Sequence, residues 1–282
     1  MPEGDSVYKL ARRLDRQLRG RTVVRSDLRV PRLATRDLAG RTVLGHDTHG
    51  KHLLTRFGPG PRDDVPVSLH SHLRMDGEWS LTRRGKRLPS RLMSQVRLVL
   101  GLDTGETLWG LRLHDLELVA TADEAQVVGH LGPDPLRADW DAAEAARRLR
   151  ADPGRPFVSA LLDQRLVAGL GNLWVNELAF LTGVSPWTPI GDVDVDALLA
   201  RAATALHHSA TVPGAYQVTT GLSRRGEDHW VAGRQRRPCL RCGTVVRMAD
   251  EIPNDPDHRR TWWCPTCQPG PGPETRRSVR RV

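Results

Sequence analysis

The chain has 282 residues, 39% of them hydrophobic, with 42 lysines and arginines against 33 aspartates and glutamates, a net charge of +9 at pH 7. The length fits about two domains, and no apolar run reaches the roughly 18 residues of a membrane span, which argues against a transmembrane helix. A positive surplus of this size favours a polyanionic partner such as nucleic acid, and the start Met1-Pro2-Glu3-Gly4-Asp5 lacks the basic-then-apolar pattern of a signal peptide, so a cytoplasmic protein is expected.

Val7, Leu10, Leu14 and Leu18 recur at helical spacing, Asp5 or Ser6 can cap the helix they imply, and Gly20 sits where a terminating glycine belongs. From about Arg21 to Ala120 the pattern changes to short strands, among them Thr22–Val24, His52–Phe57, Val67–Leu69, Glu78–Leu81, Gln95–Leu100 and Leu116–Ala120, separated by turns such as Gly58-Pro59-Gly60-Pro61. This predicts a β-sandwich behind one N-terminal helix, spanning 1–120. The acidic, breaker-rich stretch 121–139, with Gly132-Pro133-Asp134-Pro135, is expected to link two domains. Helices are predicted at Trp140–Arg150 behind an Asp139 cap, Pro156–Leu166, Leu173–Leu181 and Ala197–His208, giving a helical domain over 140–225. From Gly221 onward 13 arginines face seven acids, and the end, 269–282, reads as a disordered basic tail.

All four cysteines lie in the last fifth of the chain: Cys239-Leu-Arg-Cys242 and, after 21 residues, Cys264-Pro-Thr-Cys267. Two residues between cysteines let both thiolates of a tight turn face one tetrahedral ion, and two such turns close a site of four thiolates. One structural Zn2+ is therefore expected in a zinc finger over 226–268, with four unrelated thiols or two redox pairs as the alternatives. Arg259 and Arg260 lie between the pairs, either as phosphate ligands held by the finger or as a solvated turn.

Removal of Met1 would expose Pro2 as a secondary amine beside the Glu3 carboxylate. An α-amine has a pKa of about 7.7–8, far more neutral at pH 7 than a lysine, and the positive end of the following helix disfavours its protonation further. Such an amine can attack a sugar C1′ and form an iminium that acts as an electron sink, with Glu3 shuttling protons. Alone, these two residues also read as an ordinary chain start. Lysine occurs only at positions 9, 51 and 86, so Lys51 stands out in a chain that otherwise writes arginine.

In combination the residues resemble the formamidopyrimidine-DNA glycosylase and endonuclease VIII family. The likeness rests on Pro2-Glu3-Gly4, His49-Gly50-Lys51-His52-Leu53-Leu54, His72-Leu73-Arg74-Met75-Asp76-Gly77, Leu161-Leu162-Asp163-Gln164 through Ala168-Gly169-Leu170-Gly171-Asn172 to Glu177, and Gly233-Arg234-Gln235 with the four cysteines and Arg259. His130-Leu131-Gly132-Pro133-Asp134-Pro135-Leu136 is similar to the family's inter-domain stretch.

The resemblance implies a two-domain α+β fold: a β-sandwich, a helix-two-turns-helix domain and a C-terminal β-hairpin zinc finger. It implies a bifunctional DNA glycosylase and lyase of base excision repair, bacterial and nucleoid-associated, acting as a monomer on double-stranded DNA with damaged bases or abasic sites. Pro2 would be the Schiff-base nucleophile, Glu3 the proton donor and Lys51 the group that contacts the lesion phosphate and assists β,δ-elimination. Asn172 and Arg259 would hold phosphates, and Met75 would fill the gap left by the everted base unless it is a core methionine. Two departures bear on substrate. Asp5-Ser6 stands where the family continues Pro-Glu, and Asp115-Leu116-Glu117-Leu118 stands where branches acting on oxidised purines carry an Arg-Phe-Gly loop. The first keeps a helix cap but lacks a second acidic residue; the missing loop, with the Pro2-Glu3-Gly4 opening, points to the endonuclease VIII side and to oxidised pyrimidines. Two competitors are an inactive DNA-binding member of the same fold and a metal-dependent hydrolase using His46, His49, His52, His70 and His72; these histidines lack a ligand spacing and an accompanying acidic cluster.

Overall fold

The computed structural model describes residues 2–222, 224, 226–250 and 259–273. They form two compact units, Met1–Leu131 and Gly132–Val282.

The first unit opens with α1 (Gly4–Leu18), whose Val7, Ala11, Leu14 and Leu18 are buried at helical spacing. The cap is Glu3 rather than Asp5 or Ser6: Glu3 has extended backbone angles, and its N–H donates to Ser6 Oγ at 2.7 Å. Gly20 follows in the left-handed region, φ 79°. Eight strands then run β1 (Val23–Leu28), β2 (Val43–His49), β3 (His52–Phe57), β4 (Val67–His72), β5 (Glu78–Thr82), β6 (Val96–Leu102), β7 (Thr107–Leu111) and β8 (Asp115–Ala120). They pair in two antiparallel four-stranded sheets, β1-β6-β7-β5 and β2-β3-β4-β8. Leu98, Leu100 and Leu102 of one sheet and Leu53, Phe57, Leu69 and Leu116 of the other share one core with the apolar stripe of α1. Strands β2 and β7 were not expected from the sequence. The first carries Gly45, His46, Asp47 and His49 in place of an apolar run; the second contains Gly110, where a side chain's Cβ would lie 2.5 Å from Leu113 Cδ1.

The stretch between the expected domains is folded: it holds α2 (Ala125–Val128), and Val127, Val128, Leu131 and Leu136 are buried. The second unit contains α3 (Ala142–Arg150), α4 (Phe157–Leu162), α5 (Asn172–Thr182) and α6 (Val195–Thr211), then a hairpin of β9 (Arg247–Ala249) with β10 (Thr261–Trp263). Asp141, not Asp139, caps α3, its Oδ1 accepting from Glu144 N at 2.9 Å, while Asp139 pairs with Arg137. Helix α4 ends at Leu162, short of the expected Leu166, because the chain turns at Asp163. Its carboxylate accepts from the Arg165 backbone N–H at 3.0 Å and from both the Arg165 and Arg155 side chains. Most of the tail expected over 269–282 lies outside the described residues. No helix among the described residues is long and apolar enough to cross a membrane.

Candidate functional site

Pro2 is half-buried and stands directly before α1, while Glu3 is wholly buried at the start of that 15-residue helix. The unpaired N–H groups of a first helical turn carry partial positive charge, which favours a carboxylate and disfavours an ammonium beside it.

Lys51 sits in the tight turn between β2 and β3, where His49 pairs with His52 and Gly50 takes φ 59°, a conformation that favours glycine. His52 pairs in turn with His72 across β3 and β4. The histidines are gathered rather than scattered. His52 Nδ1 lies 2.7 Å from His70 Nε2, and the His52 ring centroid lies 5.0, 4.8 and 5.9 Å from those of His70, His72 and His130. Burial disfavours their charged forms: His52 is lowered to about 3, His72 to about 4, and His70 is also lowered. Neutral imidazoles thus flank Lys51 at pH 7. Arg74 N donates to His72 Nδ1 at 3.3 Å, which places that ring's proton on Nε2. The histidines form no metal-ligand group; among the described residues only the four cysteines do.

Met75 is 68% exposed, which removes the core reading. It tops the turn after β4, where Gly77 N donates to Leu73 O at 2.8 Å. Asp115-Leu116-Glu117-Leu118 lies within β8, with Leu116 in the core, so this stretch is strand rather than a projecting loop.

In the second unit Asn172 opens α5 and is buried. Its Nδ2 donates to Arg260 O at 3.0 Å, so the turn before α5 and the hairpin residues beside Arg259 are joined directly. Sequence reasoning missed Asn176, which bridges the same elements, and passed over the task of Glu177. The Glu177 carboxylate, with no exposed surface, accepts from Trp230 N at 2.8 Å, Val231 N at 2.9 Å, Ala232 N at 2.8 Å and Thr219 Oγ1. A single acid, with two asparagines, on a helix whose other residues are mostly large and apolar was the available signal.

The four sulfurs all lie within 4.8 Å of one another, with Cys239 Sγ and Cys267 Sγ 4.0 Å apart and Cys242 Sγ and Cys264 Sγ 3.4 Å apart. Four thiolates about 2.3 Å from one tetrahedral ion sit about 3.8 Å from each other, so the donor set fits a metal with no open position. Each pair closes the same turn, Gly243 N to Cys239 O and Gln268 N to Cys264 O, both at 2.9 Å. The cluster packs on Phe180 of α5, over which Arg241 lies 4.3 Å from the ring centroid.

Residues 1–117 match the formamidopyrimidine-DNA glycosylase N-terminal domain and residues 131–212 the formamidopyrimidine-DNA glycosylase H2TH domain. The chain therefore belongs to the formamidopyrimidine-DNA glycosylase family of DNA repair proteins. Within it the chain stands near the endonuclease VIII branch. It is 50% identical to a Streptomyces coelicolor protein named probable endonuclease 8 2, over 97% of this chain and 96% of that one. It is 40% identical to the Mycolicibacterium smegmatis DNA-(apurinic or apyrimidinic site) lyase Nei2, over 95% and 99%. Among solved structures, the fold matches the Lactococcus lactis Fpg in complex with DNA containing an abasic site, with a TM-score of 0.74, 24% identity, and coverage of 95% of this chain and all of that one.

Proposed function

We propose that this protein is a DNA glycosylase and abasic-site lyase that removes oxidised bases, pyrimidines in preference to purines, through a covalent bond between Pro2 and the damaged nucleotide. The observation that carries the proposal is the placing of Pro2 against a buried carboxylate at the positive end of α1. With Met1 removed, the Pro2 nitrogen attacks C1′, and the bond from C1′ to the base breaks. Glu3 supplies the proton that lets the sugar ring open to an iminium. Loss of a C2′ proton then expels the 3′ phosphate, and a second elimination expels the 5′ phosphate. Lys51 contacts the phosphate of the damaged nucleotide, and Asn172 and Arg259 bind flanking phosphates. Met75, exposed on its turn, enters the stack where the base has left. Preference for pyrimidines is supported by the 115–118 stretch lying in strand β8 with Leu116 in the core, which leaves no Arg-Phe-Gly loop there.

Cys239, Cys242, Cys264 and Cys267 would hold one Zn2+, which supplies rigidity to a hairpin of two three-residue strands rather than a reactive position.

Borohydride added to the processed protein and an abasic duplex should yield a covalent adduct that is lost when the N-terminal nitrogen is blocked. A protein that binds the duplex yet gives neither adduct nor strand break is a DNA-binding member without catalysis. A duplex panel carrying oxidised pyrimidines and purines reads the preference directly.

A further inference from the structure

We propose that Asn176 is a positioning residue for DNA binding: it orients the Asn172 amide and the hairpin run Arg259–Trp262 so that both meet phosphate together. This rests on the phosphate-binding reading of Asn172 and Arg259.

Asn176 lies on α5 and is 1% exposed. Every polar atom of its amide has a task. Its Nδ2 donates to Asn172 O at 2.6 Å and to Asn172 Oδ1 at 3.2 Å, and its Oδ1 accepts from Trp262 N at 2.8 Å. The consequence for Asn172 follows from the inventory of an amide. Its oxygen is turned inward onto Asn176, so its nitrogen must face the other way. One of the two Nδ2 hydrogens is used on Arg260 O at 3.0 Å, and the second is available to an incoming acceptor. Were the Asn172 amide rotated by half a turn, it would present oxygen to a phosphate and repel it.

The same side chain fixes the hairpin. Trp262 N and Arg260 O are held from one helix face, the first by Asn176 and the second by Asn172. Arg259 is the residue immediately before this pinned stretch, so the place where its guanidinium meets a phosphate is set by a backbone held at Arg260 O and again at Trp262 N. A hairpin held in this way has less backbone left to order on binding. Asn176 itself is buried and touches no ligand; it acts through Asn172 and the hairpin.

Asn176→Asp separates this role from simple packing. The carboxylate keeps an acceptor for Trp262 N, but it turns an acceptor toward Asn172 O and Oδ1 in place of the donor. The full-length protein is titrated with a duplex carrying a tetrahydrofuran abasic analogue, as wild type, N172A, N176D and N172A/N176D. Single-turnover cleavage of a natural abasic duplex is measured at saturating enzyme. N176D should weaken binding about tenfold while the saturated cleavage rate stays within about twofold of wild type, and the double variant should bind no more weakly than N172A. Multiplying effects, or wild-type binding by N176D when N172A is weak, overturn the role of Asn176 alone. Wild-type binding by N172A instead removes the phosphate-binding reading on which this one rests. If N176D fails to fold, Asn176→Ala, which also releases Trp262 N, takes its place: weakened binding with an unchanged saturated cleavage rate supports the role, and wild-type binding when N172A is weak overturns it.

Discussion

Arg74 donates to both carboxylate oxygens of Asp115, Nε to Oδ2 at 2.6 Å and Nη2 to Oδ1 at 3.0 Å. The pair ties the turn after β4 to the first residue of β8, and Arg112 holds the same turn from another side through Nε to Asp76 O at 2.7 Å. Met75 stands between these anchors, exposed on a turn that is itself held. Met75→Ala is expected to leave thermal stability within about 0.5 kcal/mol, since it removes no core contact. Excision of a lesion from duplex DNA should slow, while cleavage of the same lesion in a single strand, where no gap needs filling, should hardly change. Equal slowing on both substrates would count against the gap-filling role.

The load on Glu177 predicts a large structural effect. Glu177→Ala leaves the N–H groups of Trp230, Val231 and Ala232 and the Thr219 hydroxyl without their shared acceptor. Loss of about 3–5 kcal/mol is expected, as when one side of a buried charged network is deleted. Denaturant unfolding measures it; a change under about 1 kcal/mol would contradict the picture of the carboxylate as anchor for this stretch.

The buried histidines set a pH dependence. His46, His52 and His72 have folded pKa values near 4, 3 and 4, below the ordinary 6.5, chiefly because burial disfavours the imidazolium. Asp115 opposes the shift of His72, whereas Lys51 and Arg74 add to it, and Asp15 opposes the shift of His46. Below about 6.5 the unfolded chain therefore binds more protons than the folded one. Stability is complete above that value and falls as the pH drops from about 6.5 toward about 4, by at most about 1.4 kcal/mol per pH unit for each histidine. Melting temperatures from pH 8 to pH 5 should decline below 6.5, with a shallower decline in His52→Gln. A flat profile would remove the buried neutral histidines from the account.

Metal content gives an independent measurement. The protein should carry one zinc per chain, and Cys264→Ser should lower that content and destabilise the hairpin. Because Asn172 is bonded to Arg260 O, the same variant should weaken DNA binding as well. Zinc-free protein with unchanged affinity for an abasic duplex would separate the finger from DNA binding.

The N-terminal helix, the two-domain α+β plan and the four clustered cysteines were legible in the sequence, because each is written in local spacing: 3.6-residue periodicity for α1, alternation for the strands, two residues between cysteines. The capping residues were misplaced by two or three positions at α1 and by two at α3, since several acids and hydroxyls near a helix start satisfy the same preference and only the backbone angles choose among them. Strands β2 and β7 were hidden because their polar residues and glycines are explained by neighbours across the sheet. Folding alone gathered His52, His70, His72 and His130, set Met75 in the solvent, and turned Asn176 and Glu177 into partners of backbone groups 53 to 86 positions away. Such partners leave no periodic trace, because a buried polar side chain is fixed by whichever distant donors and acceptors the chain brings to it.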